Sequence, residues 1–262
     1  MATPTDKEIA DGINLFIERM SKLTVHLTQL RDNQPINGGS GFIYEHGDKH
    51  TLFTVLHCFQ PNKKVNPNDI SFDGWYLETG IVVGNRTLAF TLPPAQFVTQ
   101  MTIADPSNIK AHHVDFAWGQ LDVGALREKM KQDPKLSGIK VELPIYRGRI
   151  DHRPDSVHGY GFAAYATSEW LPQSRQLVRD PIAEIAMLFD GYDDRGLCRF
   201  KLDGKHKGHA AYWGSSGAPI ADDEGHIVAL VSCGPEEQDA MQDVIYGTPL
   251  HGYGRLIEIP NQ

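Results

Sequence analysis

The chain has 262 residues, of which 40% are hydrophobic and 22% are charged, as is typical of a folded globular protein. A formal net charge of −8 and the lack of a basic run argue against nucleic acid and anionic membranes as partners. No apolar run reaches the length of a signal peptide or a membrane span, so we expect a cytoplasmic protein.

The three cysteines, Cys58, Cys198 and Cys233, are odd in number and widely spaced. This pattern argues against a disulfide framework and favours a reducing compartment. No pair has the CxxC spacing, so a zinc site built on cysteine is not predicted. Cys58 and Cys233 are most simply small buried residues, and the alternative for Cys233 is a redox-sensitive thiol.

The first predicted element is an amphipathic helix over residues 6–20. Apolar residues recur there at roughly helical spacing, and Thr5 or Asp6 is a candidate N-cap. We expect this helix to pack on the body of the protein, and the alternative is a helix that docks a partner.

The rest of the first half has the pattern of short strands. Apolar residues alternate with polar ones from Leu23 to Leu30, and Asn37 to Gly41 reads as a glycine-rich turn. Further strands are predicted over residues 42–44, 51–56, 80–83, 88–92, 98–103 and around 115–118.

A charged helical connector is predicted over residues 123–135, and strands follow it. They are predicted over residues 141–146, 156–162, 183–188, 198–202, 227–231 and 244–249. Many short strands between turn signals predict an all-β barrel or sandwich.

The most distinctive stretch is Tyr212 to Ile220, which contains Gly214-Ser215-Ser216-Gly217. Glycine admits backbone angles closed to other residues and lets a ligand approach the main chain. Such a turn can present a serine hydroxyl beside two N–H groups, as a nucleophile beside an oxyanion hole requires. A plain tight turn is the alternative.

Two other segments complete a resemblance. Thr54-Val55-Leu56-His57-Cys58 resembles the Thr-Ala-Ala-His-Cys of trypsin-like serine peptidases, and Asp115-Phe116-Ala117-Trp118 resembles their Asp-Ile-Ala-Leu. Gly214-Ser215-Ser216-Gly217-Ala218-Pro219 resembles their Gly-Asp-Ser-Gly-Gly-Pro, in the family's order His, Asp, Ser. The resemblance covers about residues 22–257, and Asp105 and Asp122 are alternatives to Asp115.

The resemblance implies two antiparallel six-stranded β-barrels with a site in the cleft between them. We therefore expect an N-terminal helical extension (1–21), a first barrel with His57 and Asp115 (22–124), a helical connector (125–139) and a second barrel with Ser216 (140–262).

The same resemblance implies a role for each residue of the site. Ser216 would be the nucleophile, His57 its general base, and Asp115 the group that orients the imidazole. The N–H groups of Gly214 and Ser216 would form the oxyanion hole, and Ser232 would hydrogen-bond Asp115. Neither a metal nor an organic cofactor is expected.

The resemblance also predicts substrate-binding residues: His209, Ala210, Ala211, Trp213, Cys233, Gly234, Tyr246, Gly247 and Thr248. Gly234 would pair with an extended substrate backbone. No acidic residue stands at the base of this pocket, so a preference for Arg or Lys is not predicted. His209 would instead favour an acidic side chain.

The chain departs from the family at Ser215, where trypsin-type enzymes carry an aspartate that pairs with a new N-terminus. An Ile-Val-Gly-Gly start is absent, and Cys58 lacks its usual disulfide partner near residues 38–44. Activation by propeptide cleavage is therefore not expected, and the oxyanion loop must be held in another way. Bacterial members share this feature, which favours a bacterial source.

Two functions from different classes fit the sequence. The first is a serine endopeptidase acting on protein substrates, with gating by an activating partner protein as a variant. The second is a catalytically latent chymotrypsin-fold module that binds or scaffolds. His112 and His113 beside Asp115 suggest a metal site, but a solvated polar loop is the simpler interpretation.

Overall fold

The computed structural model describes residues 5–32, 34–59, 72–83, 86–92, 96–105, 108–132, 143–171, 176–233 and 243–253. Helix α1 runs from Asp6 to Leu23, which confirms the predicted N-terminal helix. Thr5 and Glu8 form a capping box, in which Thr5 N–H donates to Glu8 Oε2 at 2.7 Å. Met20 is buried against the body, whereas Leu15 is 67% exposed. No helix within the described ranges is both long and apolar enough to cross a bilayer.

The first sheet has eight strands, which span most of the first half of the chain. In chain order the main strands are β1 (Thr24–Arg31), β2 (Gln34–His46), β3 (Lys49–Thr54), β4 (Trp75–Val83), β5 (Arg86–Thr91), β6 (Gln96–Asp105) and β7 (Asn108–Leu121). They pair antiparallel in the order β5-β4-β1-β2-β3-β7-β6, and β8 (Ile145–Tyr146) adds to β2 in parallel. Helix α2 (Val123–Gln132) follows β7 and occupies the start of the predicted connector.

The second half forms a closed barrel of six strands. They are β9 (Gly159–Leu171), β10 (Gln176–Tyr192), β11 (Cys198–Lys201), β12 (Pro219–Asp222), β13 (Ile227–Cys233) and β14 (Val244–Pro249), in the closed order β10-β11-β14-β13-β12-β9. The described chain is mostly β with two α-helices, so the predicted all-β, two-barrel, chymotrypsin-like fold is confirmed. The first sheet has eight strands instead of the predicted six, and its pairing of β8 with β2 is parallel instead of antiparallel. Strand β12 was not predicted, because a strand of four residues that begins with a proline gives too short a pattern.

The predicted turn at Asn37 to Gly41 is wrong, because these residues lie inside β2. A Cβ on Gly39 would stand 2.6 Å from Cys58 Sγ, and one on Gly41 would stand 2.5 Å from the carbonyl oxygen of Phe53. Glycine is therefore needed here because neighbouring atoms approach the strand closely, and not because the chain turns.

Two apolar cores stabilise the fold, and the first takes residues from both halves of the chain. An ion pair also bridges the halves. Phe42, Phe53 and Trp75 lie in the first core, and Phe162 and Phe200 lie in the second. Burial of large aromatic side chains is the main favourable contribution to stability in cores of this kind.

The bridging ion pair joins β10 to β4. Arg179 Nη2 lies 2.8 Å from Glu78 Oε1, and the two side chains are only 13% and 18% exposed. Arg179 also donates to the Thr28 hydroxyl at 2.7 Å. Because the pair is shielded and further hydrogen-bonded, it fixes the second barrel against β1 and β4.

Candidate active site

His57 is presented by a short 3₁₀ helix, Leu56–Phe59, that follows the end of β3. Leu56, Cys58 and Phe59 are buried in the first core, and they anchor the turn. The His57 side chain is 40% exposed. The turn thus holds the imidazole at the surface of the cleft on a rigid base.

Asp115 lies in β7, next to the fully buried Phe116. Because successive side chains of a strand point to opposite faces, Asp115 faces away from the Phe116 ring. Its Oδ1 and Oδ2 lie 3.0 Å and 2.9 Å from His57 Nδ1. The backbone N–H of His57 also donates to Oδ1 at 2.9 Å. This arrangement favours the tautomer with the proton on Nδ1.

Two further hydroxyls hold Asp115. Ser232, in β13, donates to the Asp115 carboxylate, and Thr248, in β14, donates to the Asp115 carbonyl oxygen at 2.9 Å. Strands of the second barrel therefore fix a residue of the first. Thr248 is one of the residues predicted to line the substrate pocket, and the contact of its hydroxyl with Asp115 was not predicted.

The charge of Asp115 is set by opposing effects. Burial of this 23%-exposed side chain raises the pKa of the carboxyl, but the charge of His57 and the hydrogen bonds from His57 and Ser232 outweigh burial. The pKa of Asp115 therefore lies below its ordinary value. At neutral pH the group is a carboxylate that can stabilise a protonated imidazole.

The Gly214 loop is held by internal hydrogen bonds. The Ser215 hydroxyl donates to the carbonyl oxygen of Tyr212 at 2.6 Å, and the Ser40 hydroxyl donates to that of Gly214 at 2.7 Å. Ser40 N–H also donates to the carbonyl oxygen of Ser216 at 2.7 Å. These bonds hold the loop in place, although serine stands at position 215 where trypsin-type enzymes have an aspartate.

The loop packs directly on β2, and Gly217 makes this contact possible. Gly217 has φ +89°, and a Cβ there would stand 2.0 Å from the carbonyl oxygen of Ser40. That same oxygen accepts a hydrogen bond from Thr54 Oγ1 at 2.7 Å. Strand β2 is thus both part of the first sheet and the platform for the Gly214 loop.

Of the four N–H groups from Gly214 to Gly217, two are bonded within the protein and two are candidates for an anion site. Ser215 N–H donates to Tyr212 at 2.9 Å, and Gly217 N–H donates to Val231 at 2.7 Å. Within the described residues, the N–H groups of Gly214 and Ser216 donate to no protein acceptor. Two adjacent donors of this kind could stabilise an oxyanion.

His57 and Ser216 open onto one cleft of about 820 Å³, which Gly214 and Trp213 also line. The first half of the chain contributes the other residues of its walls, which are Gln29, Leu30, Arg31, Ile36, Asn37, Gly38, Cys58, Phe59, Asp73 and Gly74. The Trp213 side chain is 58% exposed and Ile36 is 44% exposed. The cleft therefore combines the candidate reactive groups with apolar side chains that are open to a ligand.

The other predicted substrate-binding residues lie outside this cleft or beyond the described residues. His209, Ala210 and Ala211 form a 3₁₀ turn before Trp213, with His209 exposed. Cys233 ends β13 and pairs with Tyr246 of β14, next to Gly247. Tyr246 packs with Leu197 and Val244, and Gly234 lies outside the described residues.

Sequence reasoning missed Ser40, because its role depends on a contact 174 residues away. It also missed Asn37, whose side chain donates to the carbonyl oxygen of Cys58 at 2.9 Å and so supports the His57 turn. Both residues lie in the stretch that the sequence presents as a turn. The side chains of His112 and His113 lie outside what the structure describes.

No family model matches the chain, and no curated protein sequence matches it significantly. Solved structures do match. The serine endoprotease from Yersinia pestis has a TM-score of 0.52 at 12% identity, over 98% of this chain and 67% of its own. Neuropsin, a serine protease of mouse brain, has a TM-score of 0.53 at 13% sequence identity, over 92% of this chain and 94% of its own. A scabies mite inactivated protease paralogue has a TM-score of 0.52 at 11% sequence identity, over 90% of this chain and 91% of its own. At these identities the likeness shows the fold alone, which is the chymotrypsin fold of serine proteases.

Proposed function

We propose that the protein is a serine endopeptidase that hydrolyses protein substrates through an acyl-enzyme on Ser216. One observation carries the proposal. The hydrogen-bonded group of Ser232, Asp115 and His57 opens onto the same cleft as Ser216. A hydroxyl nucleophile beside an imidazole that a carboxylate orients is the arrangement that acyl transfer requires.

In the proposed mechanism, His57 keeps a proton on Nδ1 for Asp115, so Nε2 acts as the base. Nε2 takes the Ser216 proton as the hydroxyl oxygen attacks the carbonyl carbon of the scissile bond. The N–H groups of Gly214 and Ser216 stabilise the negative oxygen that forms. His57 then gives the proton to the leaving amine, and a water molecule repeats the sequence to release the acid.

The proposed substrate is an extended peptide segment of another protein. A cleft of about 820 Å³ is large enough for several side chains, and Trp213 and Ile36 present apolar surface along it. We expect an apolar side chain to be preferred near the cleavage site, because burying it against Trp213 is favourable. Every catalytic group in this mechanism comes from the chain itself, and the proposal includes neither a metal nor a cofactor.

The alternative is a latent module that uses the cleft for binding only. The scabies mite neighbour, which its description calls inactivated, favours keeping this alternative, since it has the same fold. The internal bonds of Ser215 and Ser40 favour the enzyme, because they hold the Gly214 loop without a partner. They also argue against a need for partner gating.

A peptide-library cleavage profile tests the proposal. The wild-type chain, Ser216→Ala and His57→Ala are incubated separately with the library, and the products are identified by mass spectrometry. We expect a defined cleavage pattern from the wild type, and a decrease of at least about a thousandfold in both variants. Equal cleavage by wild type and Ser216→Ala would contradict the proposal. Absence of cleavage by the folded wild type would favour the latent module.

A further inference from the structure

A cluster of two histidines and one aspartate lies in the second barrel, away from the residues that line the cleft. His152, Asp222 and His226 each offer one ligand atom, and these atoms lie within 4.8 Å of one another. Asp222 ends β12, and His226 immediately precedes β13. The proposed peptidase mechanism uses none of them.

The spacing of these atoms suits a transition-metal ion. His226 Nδ1 lies 3.1 Å from Asp222 Oδ2. Ligand atoms around a tetrahedral zinc ion lie about 3.4 Å apart. A cation could therefore bind between Asp222 Oδ2 and His226 Nδ1 with little movement of either side chain. Asp222 is already fixed, because its Oδ1 accepts from His226 N–H at 2.8 Å.

His152 can act as the third ligand, beside Asp222 and His226, if its side chain rotates. Its ring is stacked on that of His226, with centroids 4.2 Å apart and planes 7° from parallel. A ring nitrogen binds a metal in the plane of its ring, so His152 must tilt out of the stack to bind. Its side chain is only partly buried, which leaves room for this movement.

The surrounding charge favours a cation. Asp222, Asp223 and Glu224 are consecutive, and Glu224 Oε2 lies 3.6 Å from His226 Nδ1 as a candidate fourth ligand. His158 already pairs with Asp223 at 2.7 Å. The guanidinium of Arg19 lies against Gly225 and offsets part of the negative charge.

We propose that His152, Asp222 and His226 bind one divalent transition-metal ion, with zinc as the chemistry that fits best. Two imidazoles and a carboxylate select zinc and its neighbours over calcium and magnesium, which prefer sets of oxygen ligands. The ion would clamp the β12–β13 turn to the segment that leads into β9. Ser216 and Ser232 lie at the other end of this β-hairpin, so the clamp would stabilise the second barrel without entering the reaction.

Titration with zinc alone tests the proposal on the whole chain freed of metal by chelation. We expect one zinc per chain by competition with a chromophoric chelator, and a melting temperature about 5 °C higher at a hundredfold excess over Kd. His152→Ala and His226→Ala should each weaken binding at least tenfold and remove most of the thermal shift. Circular dichroism checks that each variant is folded, and the partial exposure of both histidines favours folding.

His158→Ala is the matched control, because His158 is a nearby histidine outside the cluster. The chain has 12 histidines, so weak binding elsewhere must be separated from the site. His158→Ala should bind zinc as the wild type does, and calcium or magnesium should leave the melting temperature unchanged. The proposal is wrong if the folded wild type binds no stoichiometric zinc. It is equally wrong if His152→Ala and His226→Ala bind zinc as tightly as His158→Ala. Retained or lost peptidase activity does not enter this test, so its outcome is independent of the proposed function.

Discussion

The Ser40 hydroxyl of β2 donates a 2.7 Å hydrogen bond to the carbonyl oxygen of Gly214, 174 residues later in the chain. The bond joins the first sheet to the loop that precedes the candidate nucleophile. Because it holds the Gly214 carbonyl, it restrains the backbone on which the N–H groups of Gly214 and Ser216 lie. The first barrel thus contributes Ser40 to the support of the candidate anion site, in addition to contributing His57 and Asp115.

Replacing Ser40 with alanine tests this role. Ser40→Ala leaves the buried carbonyl of Gly214 without its donor, which costs about 1–3 kcal/mol in the free energy of unfolding. We expect kcat to fall at least tenfold while KM changes little, because the Gly214 N–H serves the transition state more than the bound substrate. Steady-state kinetics and urea unfolding measure both effects.

Thr51→Val is the control for Ser40→Ala. Thr51 Oγ1 is also buried in this sheet, and it has no hydrogen-bond partner within the described residues. Removing it should leave both kcat and stability close to those of the wild type. A loss in Thr51→Val as large as that in Ser40→Ala would mean that any change in this sheet has the same effect.

Because Gly39 lies close to Cys58, we expect Cys58→Ala to recover part of the stability that Gly39→Ala loses. Gly39→Ala places a methyl 2.6 Å from Cys58 Sγ and 3.4 Å from the carbonyl oxygen of Ser216, so we expect it to destabilise the fold by about 1–3 kcal/mol. Cys58→Ala removes the sulfur, and the double variant should recover part of this loss. A double-mutant cycle from thermal unfolding measures the coupling. Strictly additive effects would exclude the contact.

The burial of Ser215 predicts that aspartate, the residue of trypsin-type enzymes at this position, destabilises the fold. The side chain is 1% exposed, and its hydroxyl bonds Tyr212. Ser215→Asp, which restores the aspartate of trypsin-type enzymes, buries a charge without a cationic partner in this loop. We expect it to lower the free energy of unfolding by about 3–5 kcal/mol, and Ser215→Ala by only about 1 kcal/mol. Equal stability of Ser215→Asp and wild type would show that a cation reaches this position.

The low pKa of His26 predicts that the folded protein loses stability in mild acid. Burial and the charge of Arg179 lower the pKa of His26 to about 3. The unfolded chain binds a proton at this histidine near pH 6.5, while the folded chain does not until about pH 3. Stability therefore falls as the pH drops from 6.5 towards 3, by at most about 1.4 kcal/mol per pH unit.

His26→Phe should flatten that slope, because phenylalanine keeps an aromatic ring against Tyr165 and does not titrate. The rings of His26 and Tyr165 are 4.9 Å apart in the wild type. Urea unfolding at several pH values measures the slope. His158→Gln is the comparison, because Asp223 raises the pKa of His158 and its effect has the opposite sign. An unchanged slope in His26→Phe would contradict the assignment.

The sequence predicted the fold and placed His57, Asp115 and Ser216 because each lies in a short local motif. The pairing of His57 with Asp115 could be anticipated, and the structure brings their side chains together. Ser40 could not be anticipated, since its bond to Gly214 depends on how two barrels pack. The glycines of β2 were misread as a turn for the same reason, because the atoms that approach them belong to distant segments.

The predicted substrate-binding residues stay predictions, and their contacts were harder to anticipate than the pairing of His57 with Asp115. Thr248 was expected at a pocket wall from its position in the motif, and the motif did not predict that its hydroxyl donates to the Asp115 carbonyl oxygen. His209 lies in a 3₁₀ turn, whose conformation does not follow from strand periodicity. Tyr246 lies in β14, and its contacts with Leu197 and Val244 depend on how the strands pack.

Labelling with a fluorophosphonate, followed by mapping of the adduct, tests the central claim most directly. The claim is that His57 and Asp115 make Ser216 a nucleophile. We predict one adduct per chain, on Ser216, with labelling reduced at least a hundredfold in His57→Ala and abolished in Ser216→Ala. A folded wild-type chain that is not labelled, or an adduct on Ser215 instead of Ser216, would contradict the account.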